Sequence, residues 1–141
     1  MTFIATATVT DKEMAERIAR HKIERPVHWK LIEEPLNLSQ AIREVSSGII
    51  IVDCLTLWLN NQLFSLPEQD FDGLYKELTH TISNSPCDIF LIANEVGLGV
   101  IPMGSITRQF VDQAGWLNQA LAAHAEKVSF IVAGLPMTLK G

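Results

Sequence analysis

Two cysteines are all that the sequence contains, Cys54 and Cys87. They show no C-x-x-C spacing and no nearby histidine pair, which excludes a zinc knuckle and a disulfide framework; both are expected to be small buried hydrophobes. Long apolar runs are lacking too: none approaches the ~18 residues of a membrane span. The first residues carry no basic stretch leading into an apolar segment and cleavage site, so a cytoplasmic protein is expected. Positive charge is scarce, with 11 Lys and Arg against 16 Asp and Glu, and the net charge of -5 argues against general nucleic-acid binding. Charged residues make up 19% of the chain and Gly and Pro only 8 and 6 residues, which excludes disordered, collagen-like and coiled-coil classes. What is present is a 48% apolar composition over 141 residues. That suits one domain spanning 1–141 that buries roughly two-thirds of its unfolded surface.

Four short apolar runs bounded by breakers read as strands: Thr2 to Ala7, Gly48 to Asp53, Asp88 to Ala93 and Lys127 to Ala133. The middle two are continuously apolar, the mark of strands covered on both faces. Helical patterns occupy Thr10 to Ile23, Leu38 to Val45, Leu55 to Phe64, Phe71 to Ser83 and Ser105 to Ala125. In the last of these, Ile106, Phe110, Ala114, Leu117 and Leu121 form one stripe. Strand and helix alternate, so the expected fold is α/β, a mostly parallel sheet flanked by helices.

Ligands of such sheets bind beyond the carboxyl ends of the strands. Here those ends are Ala5-Thr6-Ala7, Asp53, Asn94-Glu95 and Gly134. Asp53 closes the run Ile49-Ile50-Ile51-Val52, where a phosphate-handling protein presents a carboxylate to magnesium; a residue there is equally suited to cap the following helix. The loop Asn94-Glu95-Val96-Gly97-Leu98-Gly99 is no phosphate cradle by pattern, since no Lys-Ser or Lys-Thr follows. Its sharper role is to carry Glu95 over a ligand, its plainer one a turn before Pro102.

Charge is unevenly spread. Residues 11–30 hold Lys12, Arg17, Arg20, Lys22, Arg25 and Lys30 against Asp11, Glu13, Glu16 and Glu24, a basic window in an acidic chain. Thr10 and Glu13 form a capping box at the start of its helix. Met14, Ile18 and His21 follow at i, i+4 and i+7, a spacing that puts His21 on the inward stripe. A histidine among Arg20, Lys22 and Arg25 suits nucleophilic attack on a polyphosphate that the cations hold. It equally fits a helix C-terminus, where the dipole favours it. His28, His80 and His124 share no metal-ligand spacing. Trp58, Trp116 and Tyr75 sit at helical spacing and read as core, and the Glu33-Glu34 pair as a solvated surface or a carboxylate for a base edge.

Taken in order, five blocks resemble one family, the bifunctional adenosylcobinamide kinases and adenosylcobinamide-phosphate guanylyltransferases of cobalamin biosynthesis. They are Ile4-Ala5-Thr6-Ala7; Met14-Ala15-Glu16-Arg17-Ile18 leading to His21-Lys22; Arg25-Pro26-Val27-His28-Trp29; Ile51-Val52-Asp53-Cys54-Leu55-Thr56; and Asn94-Glu95-Val96-Gly97-Leu98-Gly99-Val100-Ile101-Pro102. The resemblance runs from Phe3 to the C-terminus and implies a P-loop NTPase-like (RecA-like) fold. It also implies phosphorylation of adenosylcobinamide by GTP or ATP, then transfer of GMP through a guanylylated histidine. The resemblance makes that histidine His21, with Lys22, Ile23, Glu24 and Arg25 lining the nucleotide and Ala5, Thr6 and Ala7 touching it from the strand end. Glu33 becomes the guanine-side carboxylate and Asp53 the metal-side acid for Mg2+. A homo-oligomer such as a trimer is implied as well.

Two departures stand out. The family has Ala-Thr-Ser where this sequence has Ala5-Thr6-Ala7, which removes a hydroxyl. It also has a strand, a Gly-rich Walker-type loop ending Gly-Lys-Ser and a helix ahead of the residues matched here; these 141 residues contain no such loop. Kinase activity is therefore expected to be impaired. Next to the strand ending at Asp53, unpaired backbone and an uncovered apolar slot are expected. The competing expectation is a non-catalytic nucleotide-binding or oligomerisation module.

Overall fold

In the computed structural model, residues 1–8, 11–24, 26–65 and 68–141 are described, with the backbone alone for Arg17 and Glu24. The elements run β1 (Thr2–Ala5), α1 (Lys12–Glu24), β2 (Lys30–Glu33), α2 (Leu38–Arg43), β3 (Ile49–Asp53), α3 (Leu55–Ser65), α4 (Phe71–Ser83), β4 (Asp88–Ile92), α5 (Ser105–His124), β5 (Val128–Val132) and β6 (Leu135–Lys140). The first four strands make a parallel sheet in the order β2-β1-β3-β4, and β5 and β6 pair antiparallel as a separate hairpin. The expected α/β class with a mostly parallel sheet is what the chain forms.

One face of the sheet builds the core. Ile4, Ile50 and Val52 are fully buried there, beneath Leu38 and Ile42 of α2, Trp58 and Leu59 of α3, Leu78 of α4 and Leu117 of α5. Strand alternation sends Phe3, Ala5, Ile49, Ile51 and Asp53 to the other face, where β1 and β3 are only half-buried. On β4 that second face is open, with Phe90 58% and Ile92 44% exposed. The double coverage expected for β3 and β4 is therefore corrected: β3 is fully covered on one side, at Ile50 and Val52, and β4 only half-covered there, at Ile89 and Leu91. The slot expected beside Asp53 is corrected as well. β3 is paired on both sides, by β1 and β4, so the sheet edges are β2 and β4.

Periodicity alone did not reveal β2 or β6. β2 has only two apolar residues in four, and β6 carries Pro136. The strand read at Lys127 to Ala133 exists but lies outside the parallel sheet, and Gly134 ends no sheet strand. Ala133 and Gly134 both take positive φ, 52° and 77°, in a two-residue hairpin turn joining Val132 to its partner Leu135. Lys140 then ties β6 to the C-terminus of α5 by donating to the carbonyls of Ala122 and Ala123 at 3.0 and 3.1 Å, a cation at the negative end of a helix.

On α5 the buried stripe is Ala114, Leu117 and Leu121. Ile106 precedes the covered turns and is exposed, and Trp116, a full 100° around the helix from Leu117, is 57% exposed rather than core. Trp58 and Tyr75 are buried as expected. Cys54 is buried and Cys87 half-buried, both as free thiols. No helix among the described residues is long and apolar enough to cross a membrane.

Candidate functional site

Strand register assembles the site. Ala5 at the end of β1 pairs with Glu33 of β2 on one side and Asp53 of β3 on the other, and Asp53 pairs in turn with Ile92 of β4. With strands ~4.8 Å apart, the Cα atoms of Glu33 and Asp53 lie ~10 Å from each other across Ala5. All four residues project to the face opposite the buried Ile4 and Val52, so two carboxylates flank a methyl group at the carboxyl edge of a parallel sheet.

Helix α1 joins this row at its last turn. Lys22 Nζ lies 2.8 Å from Glu33 Oε1, in a pair whose side chains are 47% and 57% exposed. His21 is the residue before Lys22. The inward position expected for it is corrected: His21 is exposed, because α1 lies shallowly, with Met14 and Ile18 only half-buried and no described residue of the helix fully buried. Ile23 is 84% exposed. The helix is capped at Asp11, whose carboxylate accepts the Met14 N–H at 2.8 Å. Thr10 of the expected capping box, Arg25 and the side chain of Glu24 lie outside the described residues.

The local bonding divides the candidates. Thr6 is fully buried; its Oγ1 donates to the carbonyl of Cys54 at 2.7 Å and accepts the Cys54 N–H at 3.0 Å. Its hydroxyl therefore joins two strand ends, leaving half-buried Ala5 and Ala7 as the surface beside it. The capping role weighed for Asp53 belongs to Cys54, whose carbonyl accepts the Trp58 N–H at 3.1 Å and whose Sγ accepts the Leu57 N–H at 3.4 Å. Burial pushes the Cys54 thiol above its ordinary value; the Leu57 N–H bond opposes this, and the smaller effects of the Asp53 charge, which raises it, and the Thr56 bonds, which lower it, follow. Glu34 turns away from the row, accepting the N–H groups of Leu36 and Asn37 at 2.9 and 2.8 Å ahead of α2. Glu95 folds onto its own loop to accept the Gly97 N–H. That loop is attached to the site by the Asn94 N–H, which donates to Thr56 Oγ1 at 2.7 Å.

Sequence reasoning missed Asn61 and Gln62. Both are buried on α3. Gln62 Nε2 and Trp58 Nε1 converge on the carbonyl of Leu36 at 2.7 and 2.8 Å. The available signal was their place three and four residues beyond Trp58, on its side of the helix beside the apolar Leu55, Leu59 and Leu63.

Among the described residues no group of three or more His, Cys, Asp or Glu is placed to hold a metal ion. A single carboxylate at a sheet edge fits magnesium in the form in which nucleotides carry it, completed by phosphate oxygens and water.

The family model described as cobinamide kinase / cobinamide phosphate guanyltransferase matches residues 1–139. The chain belongs to this family. Among its relatives is the bifunctional adenosylcobalamin biosynthesis protein CobP of Pseudomonas aeruginosa, 49% identical over 143 residues, which span 100% of this chain and 83% of that protein. The CobU proteins of Salmonella typhimurium and Escherichia coli, carrying the same bifunctional description, are 35% and 31% identical over 153 residues, 98% of this chain and 84% of each. In this member of the cobinamide kinase / guanyltransferase family, five residues singled out from the sequence, Ala5, Thr6, Lys22, Glu33 and Asp53, meet at one sheet edge.

Proposed function

We propose that this chain transfers GMP from GTP to adenosylcobinamide phosphate through a covalent intermediate on His21. The observation that supports it most is the Lys22–Glu33 pair at 2.8 Å, which joins the turn carrying His21 to the row that carries Asp53. A ring nitrogen of His21 attacks the α-phosphorus of GTP. The N–P bond forms as the P–O bond to the β-phosphate breaks, and pyrophosphate leaves. A phosphate oxygen of the corrinoid substrate then attacks the same phosphorus, the N–P bond breaks, and the imidazole is regenerated. Magnesium, when bound with the nucleotide, neutralises charge on the phosphates and the leaving pyrophosphate. On this reading Asp53 would hold it or its water, Lys22 would neutralise phosphate charge, and Glu33 would accept from the N1–H and 2-amino group of guanine. The cytoplasm and a homo-oligomer belong to the same reading.

Of the two activities in the family description, guanylyl transfer is the one this reading addresses, through the row that joins Lys22, Glu33 and Asp53. Incubation with magnesium and α-phosphate-labelled GTP tests the reading: acid-labile label is expected on the wild type and none on His21→Ala of unchanged circular dichroism. Label retained by His21→Ala removes the assignment.

A further inference from the structure

The Asp53 carboxylate sits on a strand end whose position is set by Thr6 and by Asn61, a residue with no role in the reaction so far. Asn61, only 8% exposed on α3, donates from Nδ2 to the carbonyl of Thr6 at 2.8 Å and to the carbonyl of Pro35 at 3.1 Å. Its Oδ1 takes a longer bond from Thr8 Oγ1 at 3.4 Å. One carboxamide thus grips the chain just beyond β1 and the turn just beyond β2. Thr6 passes the restraint on: its hydroxyl bonds both main-chain groups of Cys54, and its N–H donates to the carbonyl of Asp53 at 3.2 Å. The connection runs from Asn61 through Thr6 to the Asp53–Cys54 segment, and through Pro35 to the turn that follows Glu33.

The chemistry selects an amide at position 61. Two carbonyl oxygens demand two donors from one group, which a carboxylate cannot supply and a hydroxyl supplies only once. An apolar side chain of similar size leaves both carbonyls buried and short of a partner.

We propose that Asn61 is a positioning residue for the reaction, acting with Thr6 to hold the Asp53 and Glu33 strand ends at a fixed separation. This rests on the functional reading above, and neither residue needs to touch substrate. Fixing reactive groups to within a fraction of an ångström is worth large rate factors, so a loosened edge lowers kcat more than it raises KM.

The test pairs a rate with a readout independent of activity. Amide hydrogen exchange of the segment 52–57 is measured without nucleotide in wild type, Asn61→Leu, Thr6→Val and Thr6→Ser. GMP-adduct formation is measured on the same proteins, below their melting temperatures. Loss of one or two buried hydrogen bonds is expected to speed exchange roughly tenfold in Asn61→Leu and Thr6→Val. The adduct rate should fall by about tenfold or more, with KM for GTP changed by less than about threefold. Thr6→Ser, which keeps the hydroxyl that bonds Cys54, should exchange like the wild type and form adduct faster than Thr6→Val. If Asn61→Leu does not fold, the Thr6→Val and Thr6→Ser pair carries the same comparison. Unchanged exchange in the variants overturns the proposal, as does faster exchange with an unaltered rate, or a Thr6→Ser as slow as Thr6→Val. A wild type that forms no adduct overturns the functional reading itself, while the exchange data still show whether Asn61 holds the Asp53 segment.

Discussion

Glu33→Gln separates a structural role for the Lys22–Glu33 pair from a functional one. Both side chains are about half exposed, 47% and 57%, so solvent screens the pair and its contribution to stability is at most about 1 kcal/mol. For a domain of this size the variant should therefore melt within roughly 2–4 °C of the wild type. Binding should respond far more. A carboxylate accepting from the guanine N1–H and 2-amino group makes charge-assisted bonds worth about 1.5–3 kcal/mol, so GTP affinity should weaken by roughly 10- to 150-fold. The base offers a second check: inosine triphosphate lacks the 2-amino group, so the wild type should prefer GTP and Glu33→Gln should lose most of that preference. Isothermal titration calorimetry with both nucleotides in magnesium, beside a melting curve, gives all the quantities. A large loss of stability with GTP affinity unchanged, or an intact GTP-over-ITP ratio in the variant, refutes the reasoning.

Trp58→Phe should cost about 2–4 kcal/mol, since it opens space at a fully buried position and removes the indole donor 2.8 Å from the Leu36 carbonyl; thermal melting should fall by roughly 5–15 °C. The Gln62 amide still reaches that carbonyl at 2.7 Å, so Trp58→Phe combined with Gln62→Leu should cost more than the sum of the single changes. A thiol reagent applied to the native protein should modify half-buried Cys87 first and reach Cys54 only after denaturation, as peptide mass spectrometry would show. Burial raises both the Cys54 thiol, from 9.0, and the Tyr75 phenol, from 10.0, so the unfolded chain loses these protons first. Stability contributed by the protonated groups is then complete below about pH 9 and declines as pH rises. Melting curves between pH 8 and 10.5 should show that decline, and Cys54→Ala should flatten its first part.

The fold was legible where apolar periodicity is strong. α4 occupies Phe71–Ser83 as its pattern dictates, and β3 and β4 end within a residue of the expected positions. Legibility failed where tertiary context decides. The four residues of β2 become a strand through pairing with β1, and that pairing lifts Glu33 from one of two surface glutamates into register with Ala5. His21 lies on the helical stripe its spacing indicates, yet it stays exposed because α1 sits shallowly, a property no periodicity encodes. At the site, Asp53 and Thr6 were legible as strand-end residues, but their division of labour was not. The capping role falls to Cys54 through local bonds to Leu57 and Trp58 set by where the strand ends, and the Thr6 hydroxyl bridges two strands through contacts 48 residues apart in sequence.

The central claim is that His21 carries GMP. It is tested most directly by incubating the folded protein with magnesium and GTP labelled at the α-phosphate, denaturing it under alkaline conditions that preserve a phosphoramidate, and mapping the modified peptide by mass spectrometry. A GMP adduct, stable to base and labile to acid, is expected on His21 within α1, discharged by adenosylcobinamide phosphate. An adduct on any other residue, or nucleotide bound by folded protein with no adduct at all, would contradict that claim.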